Sequence, residues 1–252
     1  MRALLWKELT EQWRSYRLLI TVAVLAAAGI LGPVSAKYLP LLLANMADVP
    51  EGLAEILPEA DAAMAVSEYA DNVVQLGVVL AILAPMAAVV AEKATGTAEI
   101  TLSKPVSRGA FLLAKYLGHA SAFTVGMVVA ALVGYSYTGL LFRWLPALGF
   151  VAANGLILAY LLVVVGLTLL ASTLARSQLA AAGMAVAALI LLGLLGSLPP
   201  VNDLLPAAML AWARGLALGL PAEPAWSALA VSGALIVAAL LAAWLVFRQQ
   251  EV

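Results

Sequence analysis

The sequence predicts an all-α, polytopic membrane protein. It has six transmembrane helices, both termini in the cytoplasm and an N-terminal interfacial amphipathic helix. Three observations carry this prediction. Of 252 residues, 65% are hydrophobic and 11% charged, and the mean hydropathy is +1.05; ordinary soluble domains carry about 25% charged residues. A soluble fold of this length has too little interior to hide so much apolar surface. The charges divide the chain into apolar runs of the roughly 20 residues that a helix needs to cross a core of about 30 Å. Lysine and arginine then segregate between alternate connections, which sets the orientation.

Taken in order, residues 1–17 come first. At 100° per residue, Leu5, Trp6, Leu9, Trp13 and Tyr16 share one arc, while Lys7, Glu8, Glu11, Arg14 and Ser15 lie opposite. The expected helix lies in the interface plane, with its indoles at headgroup depth and its polar face in the cytoplasm. Arg17 closes it. Spans are expected at about 18–36, 72–91, 116–142, 147–175, 179–198 and 225–247. Backbone amides in lipid must be satisfied within their own segment, so these are helices. Val34-Ser35-Ala36 loosely resembles a signal-peptidase site, but the acidic and aromatic residues before it are unlike a short basic n-region, so the first span is expected to stay uncleaved.

With six spans, Arg2, Lys7, Arg14, Arg17, Lys93, Lys104, Arg108, Lys115, Arg176 and Arg248 fall inside, and Lys37, Arg143 and Arg214 outside. The connection 37–71 is an external acidic loop, read as a solvated face. A cation site at Glu55, Glu59 and Asp61 lacks any known ligand spacing. Residues 203–224 hold two apolar stretches too short to span, separated by Arg214. They are expected as an external surface or re-entrant element, since fusing them would bury a guanidinium at about 2.5–3.5 kcal/mol.

The longest cytoplasmic connection is 92–115, EKATGTAEITLSKPVSRGAFLLAK. Thr97–Ser103 predicts a short helix, Lys104-Pro105 stops it, and Ser107 caps a helix that runs through Phe111 and Lys115 into span three. A helix–Pro–helix elbow makes a stiff handle on two spans.

The string resembles the cytoplasmic signature of ABC-2-type transporter permeases, the membrane subunits of ABC exporters. It is carried by Glu92, Gly96, Thr97, Glu99, Leu102, Pro105, Val106, Ser107, Arg108 and Lys115, with departures at Ala94 and Ala114. Leu5-Trp6-Lys7-Glu8-Leu9 with Arg14 and Arg17 looks like the same family's interfacial helix. The resemblance covers the whole chain as a single transmembrane domain, 1–252. It implies an ATPase subunit in two copies, docked on 92–115 and the N-terminal helix. It also implies a second permease copy, as homodimer or heterodimer, in the inner (cytoplasmic) cell membrane.

The chemistry that is missing agrees with that division of labour. None of the five lysines follows a glycine, so no P-loop exists, and ATP with Mg²⁺ is expected on the partner. No cofactor and no metal site are expected in this chain: it has no cysteine and one histidine, His119. His119 is expected as a satisfied interfacial side chain and not a proton relay. The expected spans hold no Asp or Glu, which argues against an intramembrane enzyme or an ion-driven carrier. The near balance of 13 basic and 14 acidic residues argues against nucleic acid. Membrane lipids are expected neighbours, and the uncharged spans suit export of a hydrophobic or amphipathic substrate. The rival reading is a mechanotransmission or assembly subunit acting on a periplasmic partner without transport. Gly126, Ala130 and Gly134, and the scattered glycines of other spans, suit either subunit contact or internal packing.

Overall fold

The computed structural model describes residues 2–44, 60–103 and 106–250. Every regular element among them is helical. They are α1 Arg2–Arg14, α2 Arg17–Ala44, α3 Ala62–Leu83, α4 Val90–Ala94, α5 Thr97–Leu102, α6 Arg108–Leu141, α7 Ala147–Leu174, α8 Gln178–Gly196, α9 Pro199–Asn202, α10 Ala208–Leu218 and α11 Trp226–Gln249. Six of these, α2, α3, α6, α7, α8 and α11, are long and apolar enough to cross a bilayer.

Tyr16, with φ +59°, turns the chain from α1 into α2. It therefore lies at the corner and leaves the helical face on which the periodicity put it. Serine and aspartate start several helices by accepting the backbone N–H three residues on. Asp61 does so for Met64 at 2.7 Å, Ser107 for Ala110 at 3.2 Å and Ser177 for Ala180 at 3.2 Å. Ser107 thus starts α6 as expected, and Asp61 serves as a helix cap. Glu55 and Glu59 lie outside the described residues.

Span two differs from its expected 72–91. The helix starts ten residues earlier, at Ala62, and ends at Leu83. Glu68 and Asp71 ride on its first turns and not in a loop, because Asp71 pairs there with Arg214 of α10. Its expected second half unwinds over 84–89, around Pro85. Backbone away from water must find partners. The buried Ser172 of α7 supplies them, donating to Met86 O at 2.8 Å and accepting from Val89 N at 3.1 Å and Val90 N at 3.2 Å.

Helix α7 is the hub, packed by α3, α6, α8, α10 and α11. Its face toward α3 is tied by Tyr69, whose hydroxyl donates to Asn154 Oδ1 at 2.5 Å, with the Phe150 ring tilted against it at 5.2 Å. Helix α10 buries Met209, Trp212, Ala213 and Ala217 and lies against α7 and α3. Its eleven residues rise only about 16 Å, too short to cross.

Helix α2 lies between α3 and α6, and small residues set its approach. Gly126 faces Leu25 and Thr21, Ala130 faces Gly29, and Gly134 faces the Tyr69 ring. The small-residue stripe of span three is therefore internal packing. A β-carbon on Gly29 would stand 2.8 Å from Ala130 O, whereas one on Gly183 of α8 would meet nothing within 4 Å. Gly29→Leu is expected to destabilise by about 1–3 kcal/mol through overpacking. Gly183→Ala should be neutral or gain up to about 1 kcal/mol from helix propensity. Thermal unfolding in detergent compares them, and equal effects would contradict this packing.

Candidate coupling site

At one end of the bundle α1, the α4–α5 elbow, the start of α6 and the ends of α7 and α11 converge. The N-terminal helix and the C-terminal helix therefore finish on the same side. What joins them is charge.

Helix α1 lies against α6 through Leu4, Glu8 and Gln12, spaced four residues apart and 7%, 5% and 4% exposed. This corrects the expected polar face: Glu8 points inward, while Trp6 and Trp13 are exposed and Leu5 and Leu9 half-buried. Helical periodicity ranks residues by polarity. Glu8 is buried because a cation waits for it. That cation is Lys115, only 2% exposed on α6, whose ammonium lies 3.3 Å from Glu8 and 2.7 Å from Glu92. Lys7 closes the ring, 3.2 Å from Glu8 and 3.1 Å from Glu92, with Glu11 at 3.9 Å. Arg17 reaches Glu11 at 3.4 Å, and Arg14 is exposed. Behind the ring, Gln12 Nε2 and His119 Nδ1 are 3.1 Å apart. His119 is thus held by α1 itself.

Burial pushes the Glu92 carboxyl up, but Lys115 and then Lys7 outweigh it and hold it below the ordinary carboxylate range. Burial likewise works against the Lys7 ammonium, and Glu8 and Glu92 outweigh it to raise it above the usual lysine value. Glu8, Glu11 and Glu92 bring oxygens close enough to share an ion. Two ammonium groups already stand among them.

The elbow itself is built for a sharp reversal. Gly96 sits at φ +71°, left-handed backbone that favours glycine, between α4 and α5. Threonines stitch the turn: Thr95 donates to Ala91 O at 3.0 Å, and the Thr95 and Thr97 hydroxyls are 2.6 Å apart. Ala94, Thr95, Thr97 and Glu99 are exposed along its outer edge. Lys93 points back, donating to Thr173 O at 2.7 Å and to Gln250 Oε1 at 3.2 Å, and its burial lowers its pKa. Arg108 grips the end of α11, donating to Phe247 O at 2.5 Å and Gln250 O at 2.8 Å, with its guanidinium 5.6 Å from the Phe247 ring centre. Pro105 and Lys104 lie outside the described residues, as does the side chain of Leu102; Val106 is half-buried.

The profile of a family described as "ABC-2 family transporter protein" matches residues 2–252. The chain belongs to the ABC-2 transporter family. It is also similar to YxlG of Bacillus subtilis (strain 168), an uncharacterised transmembrane protein. That relative is 27% identical over 175 residues, 69% of this chain and 67% of the relative.

Within this ABC-2 protein the signature residues divide in two. Glu92, Lys115 and Arg108 look inward and join helices; Thr97 and Glu99 look outward. Lys115 and Glu92, which carry the resemblance in the cytoplasmic connection, form the root of the handle, because each is neutralised there. Ser172, Gln12, Lys93 and Gln250 escaped notice. A proline inside an apolar run was the available signal for Ser172, and the four-residue spacing of Leu4, Glu8 and Gln12 was the signal for the buried face.

Removing one partner of a buried pair costs about 3–5 kcal/mol, so Lys115→Met should lower stability by that order. Adding Glu92→Gln to Lys115→Met should recover stability, although Glu92→Gln alone destabilises. Because the Glu92 carboxyl is depressed, its contribution holds above the unfolded carboxylate value, about 4.3, and is lost as pH falls through the lower folded value. Thermal unfolding against pH should show that loss in the wild type and less of it in Glu92→Gln. Additive single-variant losses would contradict the pairing.

Proposed function

We propose that this permease works in an ATP-driven exporter, coupled to a separate ATPase subunit present in two copies and paired with a second permease copy in the inner membrane. ATP and Mg²⁺ bind on the ATPase. The orientation that follows puts both termini, α1 and the α4–α5 elbow in the cytoplasm, in line with the bias of lysine and arginine. The exported substrate is hydrophobic or amphipathic, in keeping with spans whose described interior offers apolar walls and few polar groups.

One observation carries the reading. The exposed edge made by Ala94, Thr95, Thr97 and Glu99 stands on a root clamped to α1 and α6 by Glu92 and to α7 and the end of α11 by Lys93. A push on that edge is delivered to several spans together, as a rigid-body displacement. An ordinary topology-fixing loop needs no such root. Closure of the ATPase dimer on nucleotide supplies the push, and a twofold pair of permeases matches it.

The outer edge and the root are separable by mutation. Glu99→Arg alters an exposed side chain, so thermal stability should hold within about 0.5 kcal/mol, while Thr97→Arg, which gives up the hydroxyl contact with Thr95, should lose about 1 kcal/mol. Binding of the ATPase subunit, measured by co-purification and by stimulated ATP turnover, should weaken about tenfold or more, some 1.4 kcal/mol. Wild-type coupling in both variants would sink the assignment of this edge.

A further inference from the structure

Between α6 and α7 lies a groove of about 560 Å³. Val128 and Leu132 on α6 and Val151 on α7 form its outer lips, 55%, 65% and 64% exposed. Both helices are membrane spans, so those lips face hydrocarbon. From Thr124 to Tyr135 the groove follows α6 for about 16 Å, at ~1.5 Å per residue. That is about one leaflet of a core some 30 Å thick. It runs from the middle of α6 toward the α6–α7 connection, where Trp144 is 60% exposed with its ring 5.4 Å from that of Tyr135. An indole at that level marks the headgroup boundary.

The few polar groups in the lining are already used. The Thr124 hydroxyl donates to Ala120 O at 2.8 Å and the Tyr135 hydroxyl to Leu145 O at 3.0 Å. Asn154 accepts from Tyr69 at 2.5 Å and donates to Phe150 O at 2.9 Å. The hydroxyl donors are spent inside the protein and only three polar side chains line the groove, so a polar ligand or water is poorly served where a site needs two to four convergent polar groups. A helix from another chain is too thick: at ~10 Å diameter, 16 Å of it occupies roughly 1,200 Å³. A single hydrocarbon tail fits in length and chemistry.

We propose that this groove holds one acyl chain of a bilayer phospholipid, with the headgroup beside Trp144. The lipid completes the packing of α6, which carries the ion-paired root, against the hub α7. This goes beyond the permease reading and needs no ATPase.

Gly155 lines the groove, and a β-carbon there meets nothing within 4 Å. Gly155→Phe therefore fills the space without a clash at its origin, and phenylalanine is the better helix former. Gly183→Phe, on the equally open Gly183 of α8, is the control. The full-length protein is placed in phosphatidylcholine nanodiscs containing a trace of phosphatidylcholine with a photoreactive acyl chain. Labelled peptides are then mapped by mass spectrometry. Label should concentrate on α6 and α7 about fivefold or more over α8, and Gly155→Phe, but not Gly183→Phe, should abolish that excess. Gly155→Leu is read in the same way if the phenylalanine variant does not fold. Even labelling of all lipid-facing helices, or an excess that survives Gly155→Phe, overturns the proposal. The chain has no cysteine, so oxidising Val128→Cys tests the other occupant: an efficient disulfide dimer with an unlabelled groove also overturns it.

Discussion

The buried ammonium of Lys115 is the constraint on which the rest depends. A charge with so little access to water cannot be left alone, and two carboxylates from different parts of the chain come to it. Glu8 brings α1, which would otherwise be an independent anchor on the membrane surface. Glu92 brings the elbow, and Lys7 balances the second carboxylate. None of these partners can leave without stranding another, so three chain segments assemble together or not at all. Buried pairs are weak arguments for net stability and better ones for a specified arrangement. Here the arrangement is a root for the α4–α5 turn.

The rest of the bundle continues that root toward the far side. Ser172 pins the unwound stretch after α3 to α7, and Lys93 and Gln250 meet at Thr173 only one residue further along. Arg108 secures the end of α11 from the first turn of α6. Close glycine contacts fix α2 to α6 and α3, and Tyr69 with Asn154 fixes α3 to α7. Helices α8 and α11, by contrast, leave most of their surface open.

Much of the fold was legible because charge is excluded from hydrocarbon, and charge is visible in a sequence. The helices at the last three expected spans begin and end within a few residues of where charges and prolines placed them. Span two was displaced for the same reason: Glu68 and Asp71 look like loop residues until Arg214, far away in sequence, is seen to pair with Asp71. Its end was hidden because the partner that permits unwinding, Ser172, belongs to another helix. The cytoplasmic signature was recognisable as a string, yet polarity alone put Glu8 on the solvent face, and nothing local showed that Glu92 and Lys115 meet it. Burial of a charged residue is decided by its partner, and pairings between distant segments are not written in local periodicity. The exposed edge at Thr97 and Glu99 was readable; its attachment was not.

Helix α1 and the elbow form one mechanical unit held at Lys115. Hydrogen–deuterium exchange of the full chain in nanodiscs, comparing wild type with Lys115→Met, tests it most directly. In the variant, amides of α1 and of residues 90–103 should exchange faster together and by a similar factor, while α8 is unchanged. Faster exchange confined to α6, or a change in α1 without one in the elbow, would contradict it.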